Sequence, residues 1–374
     1  LQLLKDTDKH MSFSKMPRIY IAATMRSGST LVSNILNAHS KIQIIENFHF
    51  KRFLYEDGSV LSKKKVEFKL REMGLRLKVR YKVRINEDQV IKEIFKKKLT
   101  YKNIYDELMK EQLRINPQIQ IVGEDSAMNW RFIQSFNKLY ENSKIIHLIR
   151  DPRSVFASWK KTTYQKSNYW GCVLNCVDNM NYATYYKKKL NKNNYLAIKF
   201  EDILQNPKLF SKKISKFLNI KFEKSMVQPK KWESLFKNKF ASLGWSSIEK
   251  KAIDGFFTNR IDSWKSHLNK DEISFIEYFS KKNLKDWNYK IDQKNKNFKI
   301  EKFNRILKKN SYLKKNFNKL KKTGQGSDKL PNNVKDPKTW GDGKNNKKKF
   351  IDSIDGKYYM KELKKIKRML NEKY

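Results

Sequence analysis

Arg26-Ser27-Gly28-Ser29-Thr30 is a short run whose residue types suit one task, the holding of a phosphate or sulfate. It follows the apolar run Ile19-Tyr-Ile-Ala-Ala23 and precedes an amphipathic stretch, so it reads as a turn between a buried strand and a helix. Such a turn aims backbone N–H groups and hydroxyls at one spot, at the positive end of the helix dipole. The ATP-type loop, G-x-x-x-x-G-K-[ST], places a lysine on the β/γ-phosphates. With Gly28 and Thr30 aligned to its end, Ser29 stands at the lysine position and Ala23 at the first glycine. The anion cradle is kept, the lysine is lost, and Arg26 is the cation at hand.

A second segment, Lys144-Ile-Ile-His-Leu-Ile-Arg-Asp-Pro-Arg-Ser-Val-Phe-Ala-Ser-Trp159, repeats the design. An apolar strand ends in Arg150, and Pro152 suits the first turn of a helix because its φ is fixed and its missing donor is not needed there. Ser158 falls about two turns into that helix. An arginine at a strand end and a serine on the next helix can converge on one phosphate group.

These residues require a scaffold that brings strand ends together. Candidate strands lie at 18–24, 42–46, 119–123, 144–149 and 195–200, alternating with candidate helices at 28–38, 127–141, 152–163, 171–191, 207–218 and 270–283. Strand–helix alternation predicts a parallel sheet with crossover helices, and ligands in such sheets sit beyond the carboxyl ends of the strands. Residues 51–114 break the alternation with a charged, mostly helical pattern and read as a helical cap or a structural insertion.

The chain has 374 residues, 39% hydrophobic and 13% aromatic, enough for one large core with an appendage. No apolar run approaches the length that spans a bilayer, and residues 1–16 lack the apolar centre of a signal peptide. The expectation is a cytoplasmic protein whose N-terminus is incomplete or processed. Cys172 and Cys176 are too few for a metal site of their own, and ordinary buried thiols are expected.

The net charge of +45 is far from neutral, and residues 291–374 carry +17 of it. Lysine-rich composition on solvated faces is one account. Attraction to a polyanion, such as nucleic acid, an acidic glycan or an anionic membrane surface, is the other. Phe298, Ile300, Phe303, Ile306, Leu307, Leu313 and Phe317 recur at near-helical spacing in that region. A Gly/Asn/Asp/Lys-rich stretch follows from about Thr323 to Lys349, and a second basic amphipathic pattern runs from Tyr358 to Leu370. Packing on the core, a membrane surface or a partner would each absorb these faces.

The two anion segments together resemble the sulfotransferase superfamily that uses 3′-phosphoadenosine-5′-phosphosulfate (PAPS). There an R-S-G-[ST]-[ST] loop holds the 5′-phosphosulfate and an R-D-P-R…S segment holds the 3′-phosphate. The resemblance extends to Tyr195-Leu-Ala-Ile-Lys-Phe-Glu-Asp-Ile-Leu-Gln-Asn-Pro207, Phe217-Leu-Asn-Ile220 and Arg260-Ile-Asp-Ser-Trp-Lys-Ser-His-Leu268. Four motifs in family order cover residues 16–290. The resemblance implies an α/β, P-loop-like three-layer fold with a central parallel sheet, a helical cap insertion at 51–114 on the acceptor side, and a basic helical extension at 291–374.

It also implies roles. Arg26, Ser27, Gly28, Ser29 and Thr30 would bind the 5′-phosphosulfate, with Arg26 also catalytic. Arg150 and Ser158 would clamp the 3′-phosphate, with Arg260 as a third contact. Glu46, at the end of the second strand, matches a glutamate that acts as base in tyrosylprotein and several carbohydrate sulfotransferases. His39 and His49 are fallback bases, His39 reading better as a cap at a helix end. His147 reads as a core histidine and Arg153 as an ion-pair partner or surface residue. Sulfuryl transfer needs positioned donors that neutralise charge on the transferring group, and no metal is expected.

One departure stands out. Gly123-Glu-Asp-Ser-Ala-Met-Asn-Trp130 resembles the family's G-[DE]-K-[ST]-P segment, with Asp125 in place of the lysine and Ala127 in place of the proline. The expected activity is sulfuryl transfer from PAPS to a hydroxyl, on a carbohydrate first, with tyrosine or a small metabolite as alternatives. A nucleotide kinase or NTPase, a nucleic-acid-binding protein and a PAPS-binding protein with weakened catalysis are the rivals.

Overall fold

A computed structural model describes residues 13–46, 61–81, 84–113, 118–125, 130–162, 169–232, 234–235, 255–291, 300–323 and 350–374. His49, Ala127, Phe298 and the Thr323–Lys349 stretch beyond its first residue lie outside the described residues, as does the side chain of Glu46.

Five parallel strands form one sheet: β1 (Arg18–Ala23), β2 (Ile42–Glu46), β3 (Ile121–Asp125), β4 (Lys144–Ile149) and β5 (Tyr195–Lys199), in the order β2-β3-β1-β4-β5. Side chains alternate across β1. Tyr20 and Ala22 enter one apolar cluster with Ile45 and Ile145, while Ile19, Ile21 and Ala23 enter another with Ile44, Ile146 and Leu148. Helices cover both faces, which is why the strands read as continuous apolar runs. The order reverses at β1, whose neighbours are β3 and β4, so the loops after β1 and β4 flank the switch point where open α/β sheets bind ligands.

On one face lie α1 (Ser29–Asn37), which follows β1, and α8 (Phe200–Gln205) with α9 (Pro207–Phe217), which follow β5. The insertion supplies α2 (Lys63–Arg76), α3 (Glu87–Phe95) and α4 (Tyr101–Leu113). Their residues Val66, Leu70, Ile94 and Met109 share one cluster with Tyr20 and Ile45, so these helices form the second layer. Arg18 at the start of β1 pairs with Asp106 of α4 at 3.2 Å, and Tyr140 donates to the same carboxylate at 2.9 Å.

Strand β3 runs two residues later than expected, through Glu124 and Asp125, both buried. The expected helix over 127–141 is shorter: a single 3₁₀ turn at Trp130–Phe132 leads into α5 (Ile133–Leu139). Helices α6 (Pro152–Thr162), α7 (Cys172–Lys189) and α10 (Lys270–Asp286) lie within a residue or a few of their expected limits.

Beyond residue 290 the amphipathic faces pack on the protein. Phe303 of α11 (Ile300–Lys309) and Leu313 of α12 (Ser311–Thr323) are buried with Phe156, Trp264 and Phe275. The last helix, α13 (Ile354–Lys373), lays Tyr359 on Leu75 and Val79. Lys373 and Tyr374 both donate to Glu67 of α2, at 2.8 and 2.9 Å. Cys172 and Cys176 are buried free thiols, and burial pushes Cys176 up to about 12, so both stay protonated. Among the described residues no helix is long and apolar enough to cross a membrane.

Candidate active site

The turn after β1 is built from two left-handed residues, Arg26 (φ 69) and Gly28 (φ 91). Gly28 is required there on two counts. The left-handed region favours glycine, and an added Cβ would lie 2.1 Å from Cε2 of Phe200. Arg26 adopts the same region at a cost of about 1–2 kcal/mol. Its carbonyl is held by Nη1 of Arg150 at 2.8 Å, which ties the two loops together. Gly28 is also the N-cap of α1, and among the described residues no side chain caps that helix. The donors of its first turn therefore face the site with the capping role open, as an anion would require.

Arg26, Gly28, Ser29, Thr30, Arg150, Ser158 and Arg260 line one cleft of about 540 Å³ beyond the ends of β1 and β4. The structure thus brings these positions, all singled out in the sequence, to one place. Ser27 is different: its side chain is fully buried and hydrogen-bonded to the Thr24 hydroxyl, so it braces the turn from within. Nε of Arg26 donates to Oγ of Ser158 at 3.0 Å, so both anion segments meet. The cleft size suits a nucleotide-sized ligand.

Arg150 carries the strongest mark of an anion ligand. It is packed over the Phe200 ring at 4.5 Å, and its buried Nε has no hydrogen-bond partner among the described residues. Burial pushes its guanidinium below the ordinary value; Glu201 opposes that shift and Arg26 adds to it. A buried donor without a partner is costly, and an oxyanion in the cleft would satisfy it. Asp151 acts on Arg150 only through space and forms no ion pair with it among the described residues. It pairs instead with Arg153 at 2.7 Å, and Arg153 also reaches Glu277 at 2.7 Å and stacks on Trp264. Arg153 is thus an ion-pair partner, buried rather than on the surface. Glu201, its carboxyl raised by burial, accepts from the Asp151 N–H at 3.0 Å and from Tyr289 at 2.7 Å.

Lys161, Phe257 and His267 also line the cleft and were not singled out in the sequence. Lys161 lies one turn beyond Ser158 on α6, so helical spacing pointed to it. Phe257 lies under the Arg260 guanidinium at 4.6 Å; no local pattern marks it.

Glu46 ends β2, its Cα in register with Asp125 of β3. Asp125 accepts from Oγ of Ser33 at 3.3 Å; burial raises its carboxyl to about 6, opposed by the Ser29 and Ser33 hydroxyls nearby. His39 is buried and bonded at both nitrogens, to the Lys221 carbonyl and the Lys41 N–H, which fits the cap role. His147 lies between Tyr195 and Asn179 at 2.7 and 2.8 Å, a satisfied core histidine that burial lowers to about 4. Among the described residues no group of three or more His, Cys, Asp or Glu is placed to hold a metal.

A parallel sheet in this order, with a glycine-capped turn after its central strand, defines a P-loop-like α/β fold. The chain belongs to the sulfotransferase family, whose sequence profile, described as "Sulfotransferase family", matches residues 17–224. Two solved structures share the fold. The sulfotransferase domain of the Synechococcus PCC 7002 olefin synthase is 18% identical with a TM-score of 0.50, over 71% of this chain and 94% of that one. The sulfotransferase domain from the curacin biosynthetic pathway is 18% identical with a TM-score of 0.51, over 74% and 99%. No curated protein sequence matches the chain.

Proposed function

We propose that this sulfotransferase moves the sulfuryl group of PAPS to a hydroxyl acceptor, a carbohydrate in our reading, in a PAPS-dependent reaction of the 2.8.2 class. The observation that carries the reading is the convergence of the Arg26–Thr30 turn with Arg150, Ser158 and Arg260 on one cleft. PAPS, when bound, supplies the sulfuryl group and a phosphate leaving group. Arg26, Ser29 and Thr30 would hold the 5′-phosphosulfate and neutralise charge where it develops. Arg150, Ser158 and Arg260 would hold the 3′-phosphate, guanidinium forks being suited to paired oxygens. Glu46 would take the acceptor proton, and residues 51–114 would flank the acceptor. Protein tyrosine and small metabolites are the alternative acceptors.

The reading extends to a cytoplasmic protein that needs no metal, with its basic extension meeting an anionic glycan or membrane surface. Asp125 favours a second reading, because a magnesium-binding carboxylate of a nucleotide kinase would stand at such a strand end. Ser29 in place of the loop lysine opposes it. Loss of catalysis with retained PAPS binding is the third.

Calorimetric titration with 3′-phosphoadenosine-5′-phosphate (PAP), with ATP and AMP in parallel and without magnesium, separates these readings. Tight binding that requires the 3′-phosphate is expected. Preference for ATP with magnesium, or no binding of PAP, would overturn the PAPS assignment. Transfer of label from PAPS to glycans, set against tyrosine peptides and phenols, then tests the acceptor.

A further inference from the structure

We propose that His267 is a further ligand of the 3′-phosphate: Nε2 takes a proton as the phosphate enters and donates it in a hydrogen bond to a phosphate oxygen. The inference rests on the PAPS reading of the cleft and adds a fourth side chain to Arg150, Ser158 and Arg260.

The segment 258–267 is fastened to α6 at two points. Oγ of Ser154 donates to the Ile261 carbonyl at 3.0 Å, and Nζ of Lys160 donates to the His267 carbonyl at 3.1 Å. Lys160 also pairs with Glu272 of α10 at 2.8 Å, so the second point is itself anchored. Ser154, Ser158 and Lys161 follow the i, i+4, i+7 spacing of one helix face, and all three line the cleft. The fastened segment meets that face with Arg260 near one point and His267 at the other, and both residues line the same cleft.

The His267 ring is held by its own turn. Nδ1 lies 2.5 Å from the Ser263 carbonyl. A carbonyl can only accept, so Nδ1 carries a proton, and in the neutral ring Nε2 carries the lone pair. Among the described residues the ring's hydrogen bonds are all at Nδ1, with Ser263 and Ser266, and Nε2 is left for a ligand.

The charged groups around the ring are mostly cations. Arg26, Arg150, Lys161 and Arg260 line the cleft with it, and among the described residues no carboxylate does. From α10 come Asp271 and Glu272, the latter paired with Lys160, and Asp262 of the same segment pairs with Lys265. A neutral Nε2 offers a phosphate oxygen only a lone pair, which repels it. A proton from solvent turns the same atom into a charged donor, while the Ser263 carbonyl on Nδ1 supports the charged ring from behind. Imidazole is the side chain suited to this exchange near neutral pH. Binding of the 3′-phosphate is therefore coupled to proton uptake.

The test is NMR of histidine-labelled full chain, with calorimetry, using PAP and AMP on wild type, His267→Gln and His267→Asn. AMP lacks the 3′-phosphate. Gln places an amide near Nε2, and Asn places one near Nδ1, where it can keep the bond to Ser263. At pH 7 the His267 ring resonance, assigned by its loss in either variant, should move toward its protonated position with PAP and not with AMP. His267→Asn should lose roughly tenfold or more in PAP affinity, the range for a hydrogen bond to a charged group, with AMP binding unchanged. His267→Gln, a donor that does not titrate, should keep most of the affinity. Asn like wild type and Gln weakened would make His267 a brace for Ser263 alone and overturn the proposal. So would a ring resonance that responds alike to PAP and AMP while PAP still binds more tightly, a result that needs no variant. Absence of PAP binding that depends on the 3′-phosphate removes the PAPS reading, and this inference with it.

Discussion

Arg26 and Ser158 stand 132 residues apart in sequence, yet Nε of the one donates to Oγ of the other at 3.0 Å. The contact joins the loop after β1 to the helix after β4 and so couples the two ends of the cleft. An anion at either end would compete for donors already aimed inward, which makes the pair a gauge of occupancy. Arg150, which holds the Arg26 carbonyl, should discriminate between ligands. Arg150→Ala is expected to weaken PAP by about 2 kcal/mol, or roughly thirtyfold, the range for a hydrogen bond to a charged group. Its effect on AMP should be much smaller. Calorimetry on both ligands checks this, and equal losses would remove the 3′-phosphate assignment.

Gly28→Ala should destabilise the fold itself. The backbone cost at φ 91 is about 1–2 kcal/mol, and the new methyl would meet the Phe200 ring at 2.1 Å. Since that ring also lies under Arg150, any shift that relieves the clash disturbs the clamp. Urea denaturation should show a loss of at least about 2 kcal/mol, together with weaker PAP binding. Phe200→Leu should restore less than half of the stability, because the strained φ remains.

Much of this was legible in the sequence, for reasons that differ by element. β1, β2, β4 and β5 are apolar on both faces, so they stand out as runs. β3 extends two residues past its apolar run because Glu124 and Asp125, which look like loop residues, are both buried, Asp125 accepting from Ser33 of α1. The anion turns were legible because local spacing carries them. The brace behind Arg150 was not: Glu201, Tyr289, Arg153 and Glu277 meet only after the chain has folded, and no local pattern encodes such contacts. Phe257 and His267 belong to the same category.

Glu46→Gln should lower turnover by about two orders of magnitude, the usual worth of a general base. PAP affinity should stay within about twofold, since Gln keeps the shape and loses only the basic oxygen. Single-turnover assays with labelled PAPS, run beside PAP titration, separate the two effects. Full activity would move the base elsewhere.

His147 sets an acid limit on stability. Asn179 Oδ1 can only accept, so Nε2 carries the proton and Nδ1 accepts from Tyr195. Protonation of Nδ1 would place a charge in a fully buried site. The folded value of about 4 lies below the unfolded value near 6.5. The histidine's contribution is therefore complete above pH 6.5 and is lost progressively as pH falls to 4, by roughly 3 kcal/mol. His147→Gln should be less stable at pH 7 yet show a flatter acid limb in denaturant titrations. An unchanged pH slope would place the acid sensitivity elsewhere.

Removal of everything after residue 299 should expose the cluster around Phe275 and Phe156. Phe303 is 2% exposed and Leu313 fully buried, and Phe279 packs edge-on against Phe317. Two side chains buried to that extent are worth roughly 3–6 kcal/mol by area alone, comparable with the whole stability of many domains. The shortened chain should aggregate or unfold without a cooperative transition. Removal of residues 350–374 is a milder change, since the buried contacts of α13 centre on Tyr359 with Leu75 and Val79. That shorter deletion should leave PAP binding intact while lowering the melting temperature by a few degrees. If both deletions behave alike in thermal melts, α11 and α12 add nothing to stability beyond what the last helix supplies.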